Sequence, residues 1–224
     1  MIRYLLSHRF PTEYGLDPAT ITLPVEVKNG SFSLSDNKAC AQCKADKEDR
    51  ASCNEENLNV HSSIDVNVLD FEGYIAQYSG TSLGIKDVCD FLMFDDSTSH
   101  QKIAFCDLTC SEEKWVNPNT GKYPEGKRAK VKTQMLASLE YLISEPLTSV
   151  NILTFVERVC LFGWRDYNNP DVSAVKPVHN SVGKNMQVFG RTPSSMAKQL
   201  TAEKNILGHN FYFVQVKYPA VYEF

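Results

Sequence analysis

Residues 88–111, VCDFLMFDDSTSHQKIAFCDLTCS, decide how this chain is read. Two apolar runs, FLMF and KIAF, flank a polar segment, the pattern of two buried strands joined by a turn. A lone aspartate borders each run, Asp90 before the first and Asp107 after the second. A carboxylate beside large apolar side chains is costly to bury unless a metal ion, a hydrogen-bond partner or solvent meets it.

The neighbouring segments supply the context. Upstream, IDVNVLDFEGYIAQYS (64–79) places Val68, Phe71, Ile75 and Tyr78 at helical spacing, with Gly73 as a weak point. Downstream, SEEKWVNPNTGKYPEG is a loop rich in turn residues. A helix is expected next, because Val131, Met135, Leu139 and Leu142 form an apolar stripe and Pro146 closes it. NILTFVERVCLFGW reads as a buried strand, SSMAKQLTAEKN as a short helix and NFYFVQVKYPAVYEF as a final strand. At the other end, residues 1–35 read as strand and loop, and TITLPVEVKNGSFSL, with Asn-Gly between two alternating runs, signals a hairpin. The order helix, strand, strand, helix, strand favours an α/β fold, a central mixed sheet flanked by helices, with an N-terminal hairpin and a Cys-rich insertion. One domain over 1–224 suits the length.

A helix bearing Glu72, strands bearing Asp90 and Asp107, and a helix opening on a basic stretch resemble the core of the PD-(D/E)XK nuclease superfamily. The resemblance covers residues 64–145 and implies a restriction-endonuclease-like core. It also implies Mg²⁺ or Mn²⁺ held by Asp90 and Asp107, with assistance from Glu72 or Gln134. The family's pattern places a lysine two residues after the second acidic residue. Here Thr109 stands there, and a hydroxyl carries no positive charge. Lys130 or Lys132 is expected to take the role. Otherwise the site is crippled, and Asp90 and Asp107 cap turns or pair with lysines.

The stretch KYPEGKRAKVK (122–132) concentrates Lys122, Lys127, Arg128, Lys130 and Lys132, which suits phosphate contacts. A solvated helix start is the alternative. Cations at a helix N-terminus oppose its dipole, so they are not there for helix stability.

Residues 36–61 carry Cys40, Cys43, Cys53 and His61 in a polar segment with too few apolar groups for a core of its own. The C-x₂-C pair is half of a structural zinc site, with His61 as the fourth candidate ligand. Free thiols in a loop are the alternative. Cys89, Cys106, Cys110 and Cys160 sit in apolar segments and read as small buried hydrophobes.

Composition bounds the rest. The chain is 42% hydrophobic and 22% charged, as globular proteins are, and its net charge of −4 excludes a protein basic all over. No apolar run is long enough to span a bilayer, and the N-terminus lacks a signal-peptide pattern, so a cytoplasmic protein without membrane contact is expected. P-loop, dinucleotide and G-x-S-x-G motifs do not occur. The expectation is a metal-dependent nuclease acting on nucleic acid, as a subunit of a larger bacterial assembly. A catalytically degenerate subunit on the same fold, binding a protein partner, is the alternative.

Overall fold

A computed structural model describes residues 2–36, 56–83, 87–97, 102–116, 126–143, 152–166 and 209–224. The fold class is α/β, built on one mixed sheet of seven strands. The strands are β1 (Val25–Ser35), β2 (Glu56–Asp70), β3 (Phe91–Phe94), β4 (Lys102–Cys110), β5 (Glu157–Arg165), β6 (Tyr212–Lys217) and β7 (Val221–Glu223). Strands β1 to β6 lie side by side in chain order, and β7 returns to pair with β2. Pairing is antiparallel from β1 to β4 and parallel from β4 to β6.

The hairpin exists, but its turn is not at Asn29-Gly30. Strand β1 runs straight through that dipeptide, and its register against β2 shifts between Lys28 and Gly30. Gly30 has φ +70°, so it forms a bulge in a continuous strand rather than a turn. The hairpin arms are β1 and β2, and the Cys-rich insertion lies between them. Residues 64–70 are strand, not helix. Val66 and Val68 face one way and Asn67 and Leu69 the other, a period of two that β-branched residues favour. The helix α1 starts only at Phe71 and ends at Ala76. Asp70 caps it, its Oδ1 accepting the Gly73 N–H at 2.9 Å. The N-terminal residues, expected as strand and loop, form a helical arm over 2–13 that buries Leu5, Leu6 and Phe10.

Both faces of the sheet are covered. On one, the arm, α1 and the long helix α3 (Gly126–Ile143) pack against Leu92, Phe94, Ile103, Phe105, Phe162 and Trp164; the four-residue helix α2 (Glu113–Val116) precedes α3. The expected stripe of Val131, Met135, Leu139 and Leu142 is buried there. On the other face, β2 bends back so that Asn59–His61 pair with β7. Leu58 and Val60 thereby cover Ala104, Cys106, Leu108 and Leu161. The contact is close at Gly163, where an added Cβ would meet Leu108 Cδ2 at 2.7 Å and Leu58 Cβ at 2.9 Å. The C-terminal stretch is two strands rather than one, β6 and β7, divided at Tyr218-Pro219. The expected helix SSMAKQLTAEKN lies outside the described residues.

Candidate active site

Along β4, Ile103 and Phe105 point to the helical face while Ala104, Cys106 and Leu108 point to the other. Asp107 and Thr109 continue the first series, so both face α3. Phe91 pairs with Cys106, which sets Asp90 beside Asp107 on the neighbouring strand. The two aspartates are only 5% and 4% exposed, yet both line one cavity of about 190 Å³. Asp36, Thr109, Lys127, Lys130, Val131 and Gln134 complete most of its wall. Lys127, Lys130, Val131 and Gln134 follow i, i+3, i+4, i+7 spacing, the stripe that one helix face presents.

Asp90 is held from several sides. Its Oδ2 accepts the Leu108 N–H at 2.7 Å. Its carbonyl accepts the N–H groups of Phe71 and Glu72 at the start of α1. The residues before it are tied to α3: Gln134 Nε2 donates to the Val88 carbonyl at 3.1 Å, and Ser138 Oγ accepts the Cys89 N–H at 2.8 Å. The same hydroxyl donates to the Gln134 carbonyl. Such a carboxylate is preorganised, because moving it would break bonds at both strand and helix.

Lys127 occupies the place the sequence left without a cation. It projects from the first turn of α3 and donates through Nζ to Thr109 Oγ1 at 2.8 Å. The threonine thus acts as the acceptor that orients an ammonium group arriving from the helix. Lys130 also lines the cavity, but its ammonium reaches outward to Asp87 at 3.7 Å. Lys132 is directed elsewhere, 4.9 Å from the Phe213 ring, and Arg128 lies over the same ring at 5.1 Å. Glu72 meets Asp90 through its backbone and is not part of the cavity wall.

The thiols nearby are inert. Burial pushes the Cys89 thiol well up, and the charges of Asp107 and Asp90 add to this against an opposing hydrogen bond from Ser138. Burial likewise raises Cys106, with Asp90 contributing. A protonated thiol is neither a nucleophile nor a good metal ligand. Among the described residues, no three His, Cys, Asp or Glu side chains gather closely enough to hold a metal ion. The described cavity wall offers carboxylate oxygens and no thiol or imidazole, the kind of donor that Mg²⁺ takes while keeping several waters.

Cys40, Cys43, Cys53 and Lys122 lie outside the described residues. His61 stands on β2, its Nδ1 sharing a hydrogen bond with Ser31 Oγ at 3.0 Å. Sequence reasoning missed Asp36 and Ser138 and gave Lys127 only a phosphate-binding role. For Ser138 a signal existed, a polar residue one helical turn after Gln134. For Asp36, at the end of β1, there was none. Among the described residues, no helix is long and apolar enough to cross a membrane. No family model, no curated protein and no solved structure matches the chain.

Proposed function

We propose that the chain is a metal-dependent nuclease built on a PD-(D/E)XK, restriction-endonuclease-like core, hydrolysing phosphodiester bonds of nucleic acid. The observation that carries this reading is the Lys127 ammonium, held by Thr109 beside Asp107 and Asp90. A cation in that place answers the one departure from the family's pattern. The order of antiparallel β2, β3 and β4, then α3, then β5 parallel to β4, supports the same reading.

In this reading Asp90 and Asp107 hold Mg²⁺ or Mn²⁺. Held there, such an ion would supply positive charge against the phosphate and lower the pKa of a bound water. Asp90, fixed by the Leu108 N–H, keeps its carboxylate in place without reorganisation as the reaction proceeds. Lys127 is a triple donor with one position committed to Thr109. From the cavity wall its ammonium is placed to orient the attacking water or to meet charge growing on a phosphate oxygen. Lys130, at the rim, adds charge that attracts the substrate backbone.

The test incubates the purified chain and Asp107→Asn with single- and double-stranded DNA and RNA, with Mg²⁺ or Mn²⁺ or with EDTA. Cleavage should require the metal and vanish in the variant, which should be at least as stable because it removes a buried charge. Metal-independent cleavage, or equal cleavage by the variant, refutes the assignment. Cleavage by neither leaves the degenerate, partner-binding subunit as the reading.

A further inference from the structure

Cations lie over aromatic rings at several places in this fold, and most of them have a second partner. Lys102 over Tyr222 pairs with Glu157, Lys114 over Trp115 with Glu112, and Lys217 over Trp164 with Glu113. Arg165 over Tyr218 donates to the Glu56 carbonyl. Arg128 departs from this pattern. Its guanidinium carbon is 5.1 Å from the centre of the Phe213 ring, and among the described residues it meets neither a carboxylate nor a carbonyl. Its Nε is buried without a hydrogen bond, so the terminal nitrogens are the part of this half-buried side chain left to meet a partner.

Helix stability does not explain the residue. Arg128 stands in the first turn of α3, where a cation opposes the helix dipole and no acidic residue accompanies it. Nor is the guanidinium needed to cover Phe213, since the methylenes of a long stem shield a ring by themselves. The ring instead holds the guanidinium in one place with its outer nitrogens presented, the arrangement in which arginine takes a phosphate through paired N–H bonds. The position adjoins the cavity. Arg128 follows Lys127 directly and is turned ~100° from it around the helix, toward β6. Phe213 lies on β6, two strands from β4 and so roughly 10 Å across the sheet from it. A nucleic-acid strand advances ~3.4 Å per nucleotide, so that span corresponds to about three nucleotides.

We propose that Arg128, seated on Phe213, anchors a backbone phosphate of a nucleic-acid strand, a few nucleotides from the bond held in the Asp90–Asp107 cavity. The class of ligand rests on the proposed nuclease reading. What the anchor adds is the path of the strand, from the cavity across the first turn of α3 toward β6.

The experiment measures binding of fluorescent single- and double-stranded DNA and RNA oligonucleotides to the full-length chain in EDTA, from about 50 to 200 mM salt. Arg128→Met keeps a stem over Phe213 and removes the guanidinium. It should bind about tenfold more weakly at low salt, the worth of one charge-assisted bond. It should also lower the salt slope by about 0.7–0.9, the share of one phosphate. Arg128→Lys restores the charge without the planar fork and should recover the slope but only part of the affinity. Lys28→Met removes an equal charge from β1, at the far end of the strand order, and should stay within about twofold. In Mg²⁺, Arg128→Met should raise the half-saturating substrate concentration at an unchanged maximal rate of cleavage. Thermal melts verify that each variant folds. If Arg128→Met binds as wild type does, or loses no more than Lys28→Met, the anchor is refuted while the nuclease reading stands on cleavage. If binding depends on Arg128 but wild type cleaves nothing, the anchor stands and the catalytic reading falls. If wild type neither binds nor cleaves any of these polymers, both fall.

Discussion

Replacing Lys127 by methionine removes the ammonium group and keeps a stem of similar length. In the folded protein that ammonium donates to Thr109 Oγ1 at 2.8 Å from a half-buried position. A charge-assisted bond is worth about 1.5–3 kcal/mol when shielded, and partial exposure brings the expected loss of stability to under ~1 kcal/mol. Under the proposed nuclease reading, the cost in cleavage rate should be far larger. Loss of proton-transfer or water-positioning help typically costs about 10²–10⁴ in rate, or about 3–5 kcal/mol of barrier. Single-turnover cleavage in saturating Mg²⁺ measures this without interference from product release. Lys132→Met should lose much less, because its ammonium lies 4.9 Å from the Phe213 ring and away from the cavity. Lys130→Met should mainly weaken substrate binding, since Lys130 sits at the rim with Asp87. The double variant Thr109→Lys with Lys127→Met places a lysine on the strand instead of the helix. It should regain at least about tenfold over Lys127→Met, because residue 109 opens on the same cavity. A Lys127→Met variant within threefold of wild type, or a dominant loss in Lys132→Met, refutes the reasoning.

Two further outcomes test the fold. Gly163→Ala forces a methyl group against Leu108 Cδ2 at 2.7 Å and Leu58 Cβ at 2.9 Å, which should cost about 1–3 kcal/mol by overpacking and lower the urea midpoint at unchanged slope. An unchanged midpoint would mean that β2 does not pack on β5 there. Stability should also fall in alkali: burial pushes the Tyr78 phenol up from 10.0 to about 12 and raises Cys89 and Cys106 well above 9.0. The unfolded chain therefore releases protons that the folded chain keeps, so stability is whole below about pH 9 and declines as pH rises toward 12. Urea unfolding at pH 8, 10 and 11 measures it, and a flat profile contradicts the burial of these groups.

The strands at 88–111 and the helix at 126–143 were legible because each carries one strong period, bounded by polar or turn residues. Residues 64–79 misled because Val68 lies on the strand while Phe71 and Ile75 lie in the helix and Tyr78 just after it. Only the spacing of Val68 to the rest is helical by coincidence. The junction itself was readable at Asp70, a good N-cap three residues before Gly73, whose missing Cβ lets the cap approach. Asn-Gly misled in the complementary way, since the left-handed residue that closes a tight turn also makes a bulge, and only the partner strand decides between them. Asp36 was invisible because its place depends on a pairing partner, Asn57, across the insertion.

Lys127, rather than the expected Lys130 or Lys132, meets Thr109 for a geometric reason that generalises. A motif spaced along one strand assumes that every member projects from that strand. Asp107 and Thr109 do share a face, but α3 lies over that same face, and its first turn opens onto it. A long side chain on the helix and one on the strand then end at the same point in space. Which helix residue serves is set by the angular position of the stripe. Gln134 is anchored to the Val88 carbonyl, and one and two turns before it come Lys130 and Lys127. Lys132, two residues from Gln134, is rotated about 160° from it at ~100° per residue and cannot face the cavity. The choice between Lys127 and Lys130 falls to depth: Lys127 meets Thr109 on the floor strand, while Lys130 reaches out to Asp87. Once Gln134 is assigned to the cavity, the helical period alone excludes Lys132, and the small hydroxyl at 109 becomes the acceptor for a cation that arrives from the other layer.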